Sequence, residues 1–319
     1  MSRKVVICGA GFLGRHIGQA IANSTHSNCS IQISSRHPQK IHDAIKPNVP
    51  PSRLLAPVSV DITKLATLEA AFQDASMVVS LVGIMHGTPA GFEAIQHQGA
   101  KNVAIVAKKA GAKLVHFSAI GADSTSSIPY VRTKGLAEQS VLSVDPKATI
   151  IRPSLVFGPE DDFFNRFARL ASIMPFLPVF GGGVSKFQPV YVGDLARFVE
   201  VLSRDDKRTQ GRFESNVIEA GGPQTFTYRE LMQMVLDVTG RKRPILSLPF
   251  ELGLLQGAIL EKLPVNLFTV TRSQVEQLKS DNIVNPSMPS GHLSLADALS
   301  EAGLPPMYSV QDILPTYLR

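Results

Sequence analysis

Short apolar runs alternate with helix-like segments through the first half of the chain. The runs read KVVICG, SIQISS, APVSVDI, SMVVSLVG and KLVHFSAIG, and the first two are separated by apolar residues at helical spacing: Leu13, Ile17, Ala20 and Ile21. A helix over LAEQSVLSV and a sixth strand within KATIIRPSLVFG continue the alternation. Strands that alternate with helices are typical of βαβ units and a parallel sheet. The pattern predicts an α/β fold with a doubly wound parallel sheet.

The alternation breaks near residue 158, where proline and glycine become frequent. IMPFLPVFGGGVSKFQP, EAGGPQTF, LSLPFELG and NPSMPSGH interrupt helical patches such as TYRELMQMVLDVTG. Because these residue types punctuate regular structure, we expect a smaller, irregular C-terminal lobe. The predicted division is a sheet domain over 1–157 and a substrate or partner lobe over 158–319, with the segment around 187–205 packing back on the sheet domain.

Three glycines directly follow the first predicted strand. Gly9, Gly11 and Gly14 form the pattern G-x-G-x-x-G between that strand and an amphipathic helix. In a Rossmann fold the first glycine permits a tight turn, the second lets the backbone approach a pyrophosphate, and the third permits close packing of helix on strand. The sequence therefore predicts a Rossmann domain that binds NAD(P) over 1–157. An ordinary glycine-rich turn is the alternative.

The end of the second predicted strand bears on which nucleotide binds. An acidic residue there would bond the ribose 2′-hydroxyl of NAD, whereas this chain has Ser34, Ser35 and Arg36, which suit a 2′-phosphate. NADP(H) is therefore favoured over NAD(H). In the other interpretation Arg36 is a solvated loop residue.

Two later strand ends point to the same crevice. Asp61 and Ile62 follow the third predicted strand and are expected to flank the adenine. Asp61 also suits the N-cap of the next helix. Leu81, Val82 and Gly83 end the fourth strand. There we expect the cofactor to pass close to the backbone.

A tyrosine, a lysine and a serine supply candidate chemistry. Tyr130 and Lys134 have the spacing Y-x-x-x-K, which places both side chains on one face of a helix. Tyrosine titrates at about pH 10 when unperturbed, so a nearby cation is needed to lower its pKa. Lys134 is expected to do so while it holds the nicotinamide ribose. Ser118, at the end of the fifth strand, is expected to hydrogen-bond a substrate carbonyl.

Composition narrows the class of protein. The 319 residues are 44% hydrophobic and 18% charged, enough for one large or two modest folded domains. The two cysteines, Cys8 and Cys29, are too few for a disulfide framework, so we expect a reducing compartment. No uninterrupted apolar run has the length of a membrane span or the form of a secretory signal. A soluble protein is therefore expected.

The net charge of +6 does not by itself indicate nucleic-acid binding. The basic residues are dispersed, the longest cluster is GRKRP at 240–244, and the chain has no tryptophan. Modest attraction to phosphates or anionic lipid is the better interpretation. His86, His97 and His116 lack the spacing of metal ligands. We predict that the protein binds neither nucleic acid nor metal.

Longer stretches of the chain resemble one branch of the short-chain dehydrogenase/reductase superfamily. VHFSAIGAD, YVRTKGLAE, IRPSLVFGPEDDFFNRFA, FGGGVSKFQPVYVGDLA and TRSQVEQLKSDNIV look like the atypical extended branch that contains the NAD(P)H-binding accessory subunit of respiratory complex I, the alpha-subcomplex subunit 9 type. The resemblance covers nearly the whole chain. It implies a Rossmann domain with a small C-terminal lobe, NADPH in the cleft, and association with quinone-linked respiratory or biosynthetic machinery.

The resemblance also implies roles for individual residues. Gly9, Phe12 and Leu13 would border the pyrophosphate, and Arg36 would border the 2′-phosphate. Tyr130, Lys134 and Pro153 would border the nicotinamide end. Two features depart from the superfamily pattern. The glycine motif is one residue shorter than usual, and the gap from Ser118 to Tyr130 is short. The shorter glycine motif is expected to alter the pyrophosphate turn, and the short gap counts against reduction or epimerisation of a bulky substrate.

Acidic residues precede two predicted helices. Glu160, Asp161 and Asp162 stand before a phenylalanine-rich helical run, which favours helix N-terminal electrostatics over paired acid and base catalysis. Asp194 likewise marks the start of a helix.

One apolar segment, ILSLPFELGLLQGAILEKLPVNLF over 245–268, is interrupted by charges and prolines and so is not expected to span a membrane. It either covers the substrate cleft or forms an exposed patch for a partner or a membrane surface.

Three functions are compatible with these features. The first is an NADPH-binding accessory or assembly protein of quinone-linked respiratory machinery, with a structural or sensory nucleotide. The second is a free-standing NADPH-dependent reductase in ubiquinone biosynthesis, in which Tyr130 is the acid. The third is a binding protein that changes partners with NADPH occupancy. In a eukaryote the expected location is the matrix side of the mitochondrial inner membrane, although no clear presequence is visible. In a bacterium the expected location is the cytoplasm, peripheral to the membrane.

Overall fold

The computed structural model describes residues 2–206, 211–264 and 266–319. The strands in these ranges are β1 (Arg3–Cys8), β2 (Cys29–Ser35), β3 (Val58–Ser59), β4 (Ala75–Ser80), β5 (Lys113–Phe117), β6 (Thr149–Pro153), β7 (Val156–Phe157), β8 (Leu177–Phe180), β9 (Lys186–Phe187), β10 (Val190–Tyr191), β11 (Val217–Ala220), β12 (Phe226–Thr227), β13 (Ile245–Leu248) and β14 (His292–Ser294).

The α-helices of the same ranges cover both faces of a sheet and build a smaller lobe. They are α1 (Phe12–Asn23), α2 (Gln39–Ile45), α3 (Leu65–Phe72), α4 (Pro89–Phe92), α5 (Gly99–Lys109), α6 (Pro129–Val144), α7 (Phe163–Ile173), α8 (Val192–Ser203), α9 (Tyr228–Val238), α10 (Phe250–Leu260), α11 (Arg272–Gln277), α12 (Leu295–Glu301) and α13 (Val310–Tyr317). A π-helical stretch over Glu93–Gln98 joins α4 to α5.

Eight strands form one sheet in the order β14-β11-β6-β5-β4-β1-β2-β3, and every neighbouring pair is parallel. The strand order reverses between β1 and β4, the switch point at which open α/β sheets bind ligands near the carboxyl ends of their strands. Val5, Val6 and Ile7 of β1 are all fully buried, as expected of a strand covered on both faces. The predicted doubly wound parallel sheet is confirmed.

The sheet continues past the point where the alternation of the sequence breaks. β11 pairs with β6, and β14 pairs with β11, so residues 217–220 and 292–294 extend the sheet although both lie beyond the predicted division at residue 157. α8 lies against α1 on one face of the sheet. The chain therefore passes between the sheet and the lobe more than once.

Separate apolar cores lie on the two faces of the sheet. On one face Ile17 of α1 and Phe198 of α8 belong to a single buried cluster. On the other face Leu68 of α3, Val103 of α5 and Val141 of α6 belong to a second. Burial of these side chains holds α1 and α6 in place, and both helices carry candidate site residues.

The smaller lobe has its own core, built around α7, α9 and α13. Short strand pairs complete it: β7 with β10, β8 with β13 and β9 with β12. Its aromatic rings contact one another in a cluster made of Phe157, Phe163, Phe164, Phe167, Phe187 and Tyr228. Within the described ranges, no helix combines the length and the apolar character needed to cross a membrane.

Candidate functional site

The glycine turn connects β1 to α1. Gly11 is the N-cap of α1, so no side chain there forms a capping hydrogen bond to the helix. The first turn of the helix carries no acidic residue. A Cβ at Gly11 would meet no atom within 4 Å, whereas one at Gly14 would lie 2.4 Å from the carbonyl oxygen of Gly9. The turn therefore leaves open space at Gly11 and packs tightly at Gly14. Free backbone N–H groups facing open space at a helix N-terminus fit a pyrophosphate.

Hydrogen bonds tie this turn to the ends of two neighbouring strands. The N–H of Gly9 donates to the carbonyl of Ser34 at 2.8 Å, and the N–H of Leu81 donates to the carbonyl of Cys8 at 2.8 Å. Gly9 has φ +127°, and a Cβ there would lie 2.8 Å from Cβ of Leu81, so a side chain at this position is excluded on both grounds. The carboxyl ends of β1, β2 and β4 thus meet at the turn.

Ser34, Ser35 and Arg36, the residues predicted to bind the nucleotide at the end of β2, differ in their exposure to solvent. Ser34 is fully buried, and its Oγ accepts a hydrogen bond from Nε2 of Gln32 at 2.9 Å, so its side chain points into the interior. Ser35 is half-buried and Arg36 is exposed. Of these residues, Arg36 is the one whose charged side chain is accessible to a ligand.

Asp61 and Ile62 lie where the chain leaves β3. The carboxylate of Asp61 accepts hydrogen bonds from the N–H and the hydroxyl of Thr63, which hold its pKa below the usual range. α3 begins at Leu65 with Lys64 as its N-cap, so the expectation that Asp61 caps this helix is wrong, because Asp61 closes its own turn instead. Ile62 packs against Gly99 at the start of α5.

Lys134 is buried where β4 and β5 end. Its Nζ donates to the carbonyl of Val82 at 3.1 Å and to the carbonyl of Phe117 at 3.0 Å. Burial lowers the pKa of this ammonium to about 8, against an opposing effect of Glu138. A Cβ at Gly83 would lie 3.3 Å from Nζ, so the glycine keeps the backbone clear beside the charge.

Tyr130 begins the same helix one turn earlier and is half-buried, with its ring edge-on to Phe92 at 6.2 Å between centroids. The sequence predicted that Lys134 lowers the pKa of this phenol. In the structure the opposite holds: burial raises the pKa of Tyr130 to about 12. The cause of this rise is the removal of the phenol from water, while Lys134 donates its hydrogen bonds to two backbone carbonyl groups. Tyr130 therefore carries its proton at neutral pH.

Ser118 follows β5 and is buried, and within the described chain its Oγ has no hydrogen-bond partner. A buried hydroxyl without a partner is costly, and this one is free to donate to a ligand. Leu81 lies against Gly9 and Gly14 of the turn, and the carbonyl of Val82 accepts from Lys134. Pro153 ends β6, and its carbonyl accepts from the N–H of Ile120 at 3.0 Å. Phe12 and Leu13 form the first turn of α1.

The sequence did not predict that further buried polar residues lie next to Lys134. Nε2 of Gln96 donates to Oγ1 of Thr133 at 3.0 Å, and His116 Nδ1 lies 3.1 Å from Ser80 Oγ. Burial and the charge of Lys134 lower the pKa of His116 to about 3, so its ring is neutral. Gln96 lies in the π-helical stretch, a distortion that often marks functional sites. No periodicity in the sequence predicts this stretch.

This set of side chains fits a proton-transfer site beside a nicotinamide nucleotide. When bound, a reduced nucleotide of this type supplies a hydride. Tyr130 holds a proton, Lys134 is positively charged below about pH 8, and Ser118 has a hydroxyl to donate. Such groups suit protonation of a carbonyl oxygen.

Asp161 and Asp194, two of the acidic residues singled out in the second half of the chain, lie at the starts of helices, where they accept hydrogen bonds from backbone N–H groups. Oδ1 of Asp161 accepts from the N–H of Phe164 in the first turn of α7 at 2.5 Å, and Asp194 lies in the first turn of α8. Burial raises the pKa of Asp194 to about 6, and its carboxylate accepts from the N–H of Tyr308 at 2.9 Å. Both lie at helix starts, as the sequence predicted. Among the described residues, no three His, Cys, Asp or Glu side chains are grouped as metal ligands.

The segment 245–268 forms β13, α10 and a following loop. Leu252, Leu255 and Ile259 recur on one face of α10 and are 51%, 61% and 57% exposed. The opposite face is made of glycine: a Cβ at Gly253 would lie 2.7 Å from the ring of Phe180, and one at Gly257 would lie 2.7 Å from the backbone of α11. The helix therefore packs through its small residues and presents its large apolar residues outward.

The fold and the site define a Rossmann protein of the short-chain dehydrogenase/reductase class. The chain belongs to the NAD dependent epimerase/dehydratase family, whose sequence profile matches residues 5–214. The NADH dehydrogenase [ubiquinone] 1 alpha subcomplex subunit 9 of Arabidopsis thaliana is 30% identical over 294 residues, 88% of this chain and 70% of that protein. The NADH-ubiquinone oxidoreductase 40 kDa subunit of Neurospora crassa is 26% identical over 88% of this chain and 72% of that protein.

Another relative is named as an enzyme. A ceramide reductase of Caulobacter vibrioides is 28% identical over 81% of this chain and 77% of that protein. The solved structure of UDP-glucuronic acid 4-epimerase from Bacillus cereus, in complex with UDP-glucuronic acid and NAD, matches 99% of this chain and 98% of that one with a TM-score of 0.71 and 17% identity. At that identity the likeness shows the fold alone.

Proposed function

We propose that this protein is an NADPH-binding accessory or assembly protein of quinone-linked respiratory machinery, and that its nucleotide has a structural or sensory role. Two relatives that are respiratory complex I subunits each match 88% of the chain, which supports this assignment. The observation that carries it is α10, which turns large apolar side chains toward solvent. Exposed contiguous apolar surface marks an interaction site.

The apolar face of α10 is proposed as the docking surface. Leu263 and Phe268 continue it beyond the helix and are 52% and 47% exposed. We propose that this surface meets a respiratory membrane assembly at the edge of the bilayer, so that the protein is peripheral to the membrane. In a mitochondrial host, like those of the complex I relatives, this is the matrix side of the inner membrane; in a bacterium it is the cytoplasmic side.

Replacing Leu252 and Leu255 together by Ser is expected to release the protein from membranes while it keeps its affinity for NADPH. Loss of two exposed leucines removes apolar contact area worth about 1.5–3 kcal/mol each when fully buried in a partner. Native electrophoresis of cell membranes, followed by detection of the protein, measures the bound fraction. Leu65→Ser with Ile105→Ser is the matched control, because these apolar side chains are exposed elsewhere. A bound fraction equal to that of the parent would refute docking through α10.

The same proposal favours NADPH over NADH, and its determinant is Arg36. The accessible guanidinium suits a 2′-phosphate, since charge-assisted bonds to phosphate are among the stronger polar contacts. Arg36→Gln is expected to weaken NADPH binding about tenfold and to leave NADH binding within about twofold, corresponding to one lost bond to a charged group. Titration of nicotinamide fluorescence measures both affinities. Equal losses for the two nucleotides would contradict this role.

The alternative function is a free-standing NADPH-dependent reductase that acts in ubiquinone biosynthesis. It is favoured by the neighbouring Tyr130, Lys134 and Ser118 and by the similarity to a ceramide reductase. A binding protein that changes partners with NADPH occupancy would need the same nucleotide site.

Tyr130→Phe separates the reductase from the accessory protein. If the protein is a reductase, the variant is expected to lose about a hundredfold or more in turnover, because general acid catalysis contributes that much, while NADPH affinity is retained. Consumption of NADPH in the presence of candidate lipid-soluble ketones and quinones measures turnover. No turnover by the parent with any of them, combined with tight NADPH binding, would favour the accessory role.

A further inference from the structure

An arginine and a glutamate pair across the first turn of α1. Nη1 of Arg15 contacts Oε1 of Glu160, which comes from the loop between β7 and α7. Arg15 lies in the first turn of α1, which begins at Phe12. A carboxylate from the lobe side of the cleft therefore stands at the helix end where the glycine turn leaves N–H groups free.

The backbone around Glu160 is firmly held. Asp161 accepts hydrogen bonds from Gly158 N–H at 3.3 Å, from Phe164 N–H at 2.5 Å and from the hydroxyl of Tyr317 at 2.5 Å. Gly158 lies against the ring of Phe12, since a Cβ there would be 3.2 Å from that ring. The loop is thus fixed on both sides. The side chain of Glu160, 43% exposed, is the part free to move.

Electrostatics make this position unfavourable for a second anion. The N-terminus of a helix attracts negative charge within its first turn. Glu160 already supplies one negative charge there, and it occupies the guanidinium of Arg15. A pyrophosphate brought to the same turn would be repelled by the carboxylate and would compete with it for Arg15.

We propose that Glu160 is a displaceable counter-ion and that Arg15 is a pyrophosphate ligand. When a dinucleotide binds, Arg15 exchanges the carboxylate of Glu160 for a phosphate oxygen, and the carboxylate turns to solvent. This inference rests on the proposed nucleotide-binding function. In this arrangement Glu160 lowers the affinity for the nucleotide. Occupancy of the site therefore depends on ionic strength.

Glu160→Gln and Arg15→Gln test this exchange by calorimetric titration with NADPH at low and high salt. Glu160→Gln is expected to tighten NADPH binding about two- to fivefold at low ionic strength, the range for one charge at a helix end, and the gain should shrink in high salt. Arg15→Gln is expected to weaken binding about tenfold, as for one lost charge-assisted bond. Both residues are partly exposed, so we expect both variants to fold.

Two controls isolate the pyrophosphate. Adenosine 2′-monophosphate carries the 2′-phosphate without a pyrophosphate, so its affinity should be the same in both variants and the parent. Glu261→Gln removes a carboxylate that pairs with Arg272 elsewhere on the surface, and it should not change NADPH affinity. Unchanged or weaker NADPH binding by Glu160→Gln would overturn the inference. If the parent itself binds no NADPH, the proposed function fails instead.

Discussion

Gly11→Ala is expected to weaken NADPH binding by about tenfold or more, for one or more lost bonds between backbone N–H groups and phosphate, and to leave the free energy of unfolding within about 1 kcal/mol of the parent value. Gly11 has φ −139°, which any residue adopts, and an added Cβ meets no atom within 4 Å. The methyl group therefore strains nothing in the fold. It would stand where the backbone must approach the pyrophosphate.

Gly14→Ala is the matched control, because it adds the same methyl group three residues further on. A Cβ at Gly14 would lie 2.4 Å from the carbonyl oxygen of Gly9, so α1 must shift away from β1. We expect the free energy of unfolding to fall by about 1–3 kcal/mol, as for other overpacked sites. Chemical denaturation and calorimetric titration distinguish the two variants. If Gly11→Ala binds NADPH as the parent does, the glycine turn does not hold the pyrophosphate.

Arg152→Met is expected to lower the free energy of unfolding by about 3–5 kcal/mol, the cost of breaking a buried ion pair by removal of one partner. Nε and Nη2 of Arg152 donate to the two carboxylate oxygens of Glu138 at 2.9 and 2.6 Å, and its Nη1 lies 3.7 Å from Glu219. The side chains of both glutamates are buried. Methionine would leave two carboxylates without their shared cation.

The effect of Arg152→Met is expected to reach the candidate site, because Glu138 lies one helical turn beyond Lys134 on α6 and opposes the lowering of its pKa. Arg212→Met is the control: Arg212 pairs with Glu301 at the surface, where such pairs contribute about 1 kcal/mol or less. Urea denaturation measures both variants. A loss no larger than that of the control would mean that the network around Arg152 is unimportant for stability.

The candidate site divides into parts that local sequence predicts and parts that it does not. The glycine turn was predictable, because the conformations of Gly9 and Gly11 and the start of α1 depend on a few adjacent residues. The direction of the Ser34 side chain was not, because it depends on Gln32 and on the burial of β2 within the sheet. The raised pKa of Tyr130 was missed for a similar reason, since burial depends on neighbours such as Phe92.

The sequence by itself determined the fold class, the alternation of the first six strands with helices, the glycine turn and the spacing of Tyr130 and Lys134, because periodicity and turn chemistry act over short stretches of chain. The tertiary structure alone decided that β11 and β14 extend the sheet, that α10 turns Leu255 outward, and that Glu160 reaches Arg15. These features join segments that are far apart in the chain. They follow from how whole helices and strands pack, which no local pattern encodes.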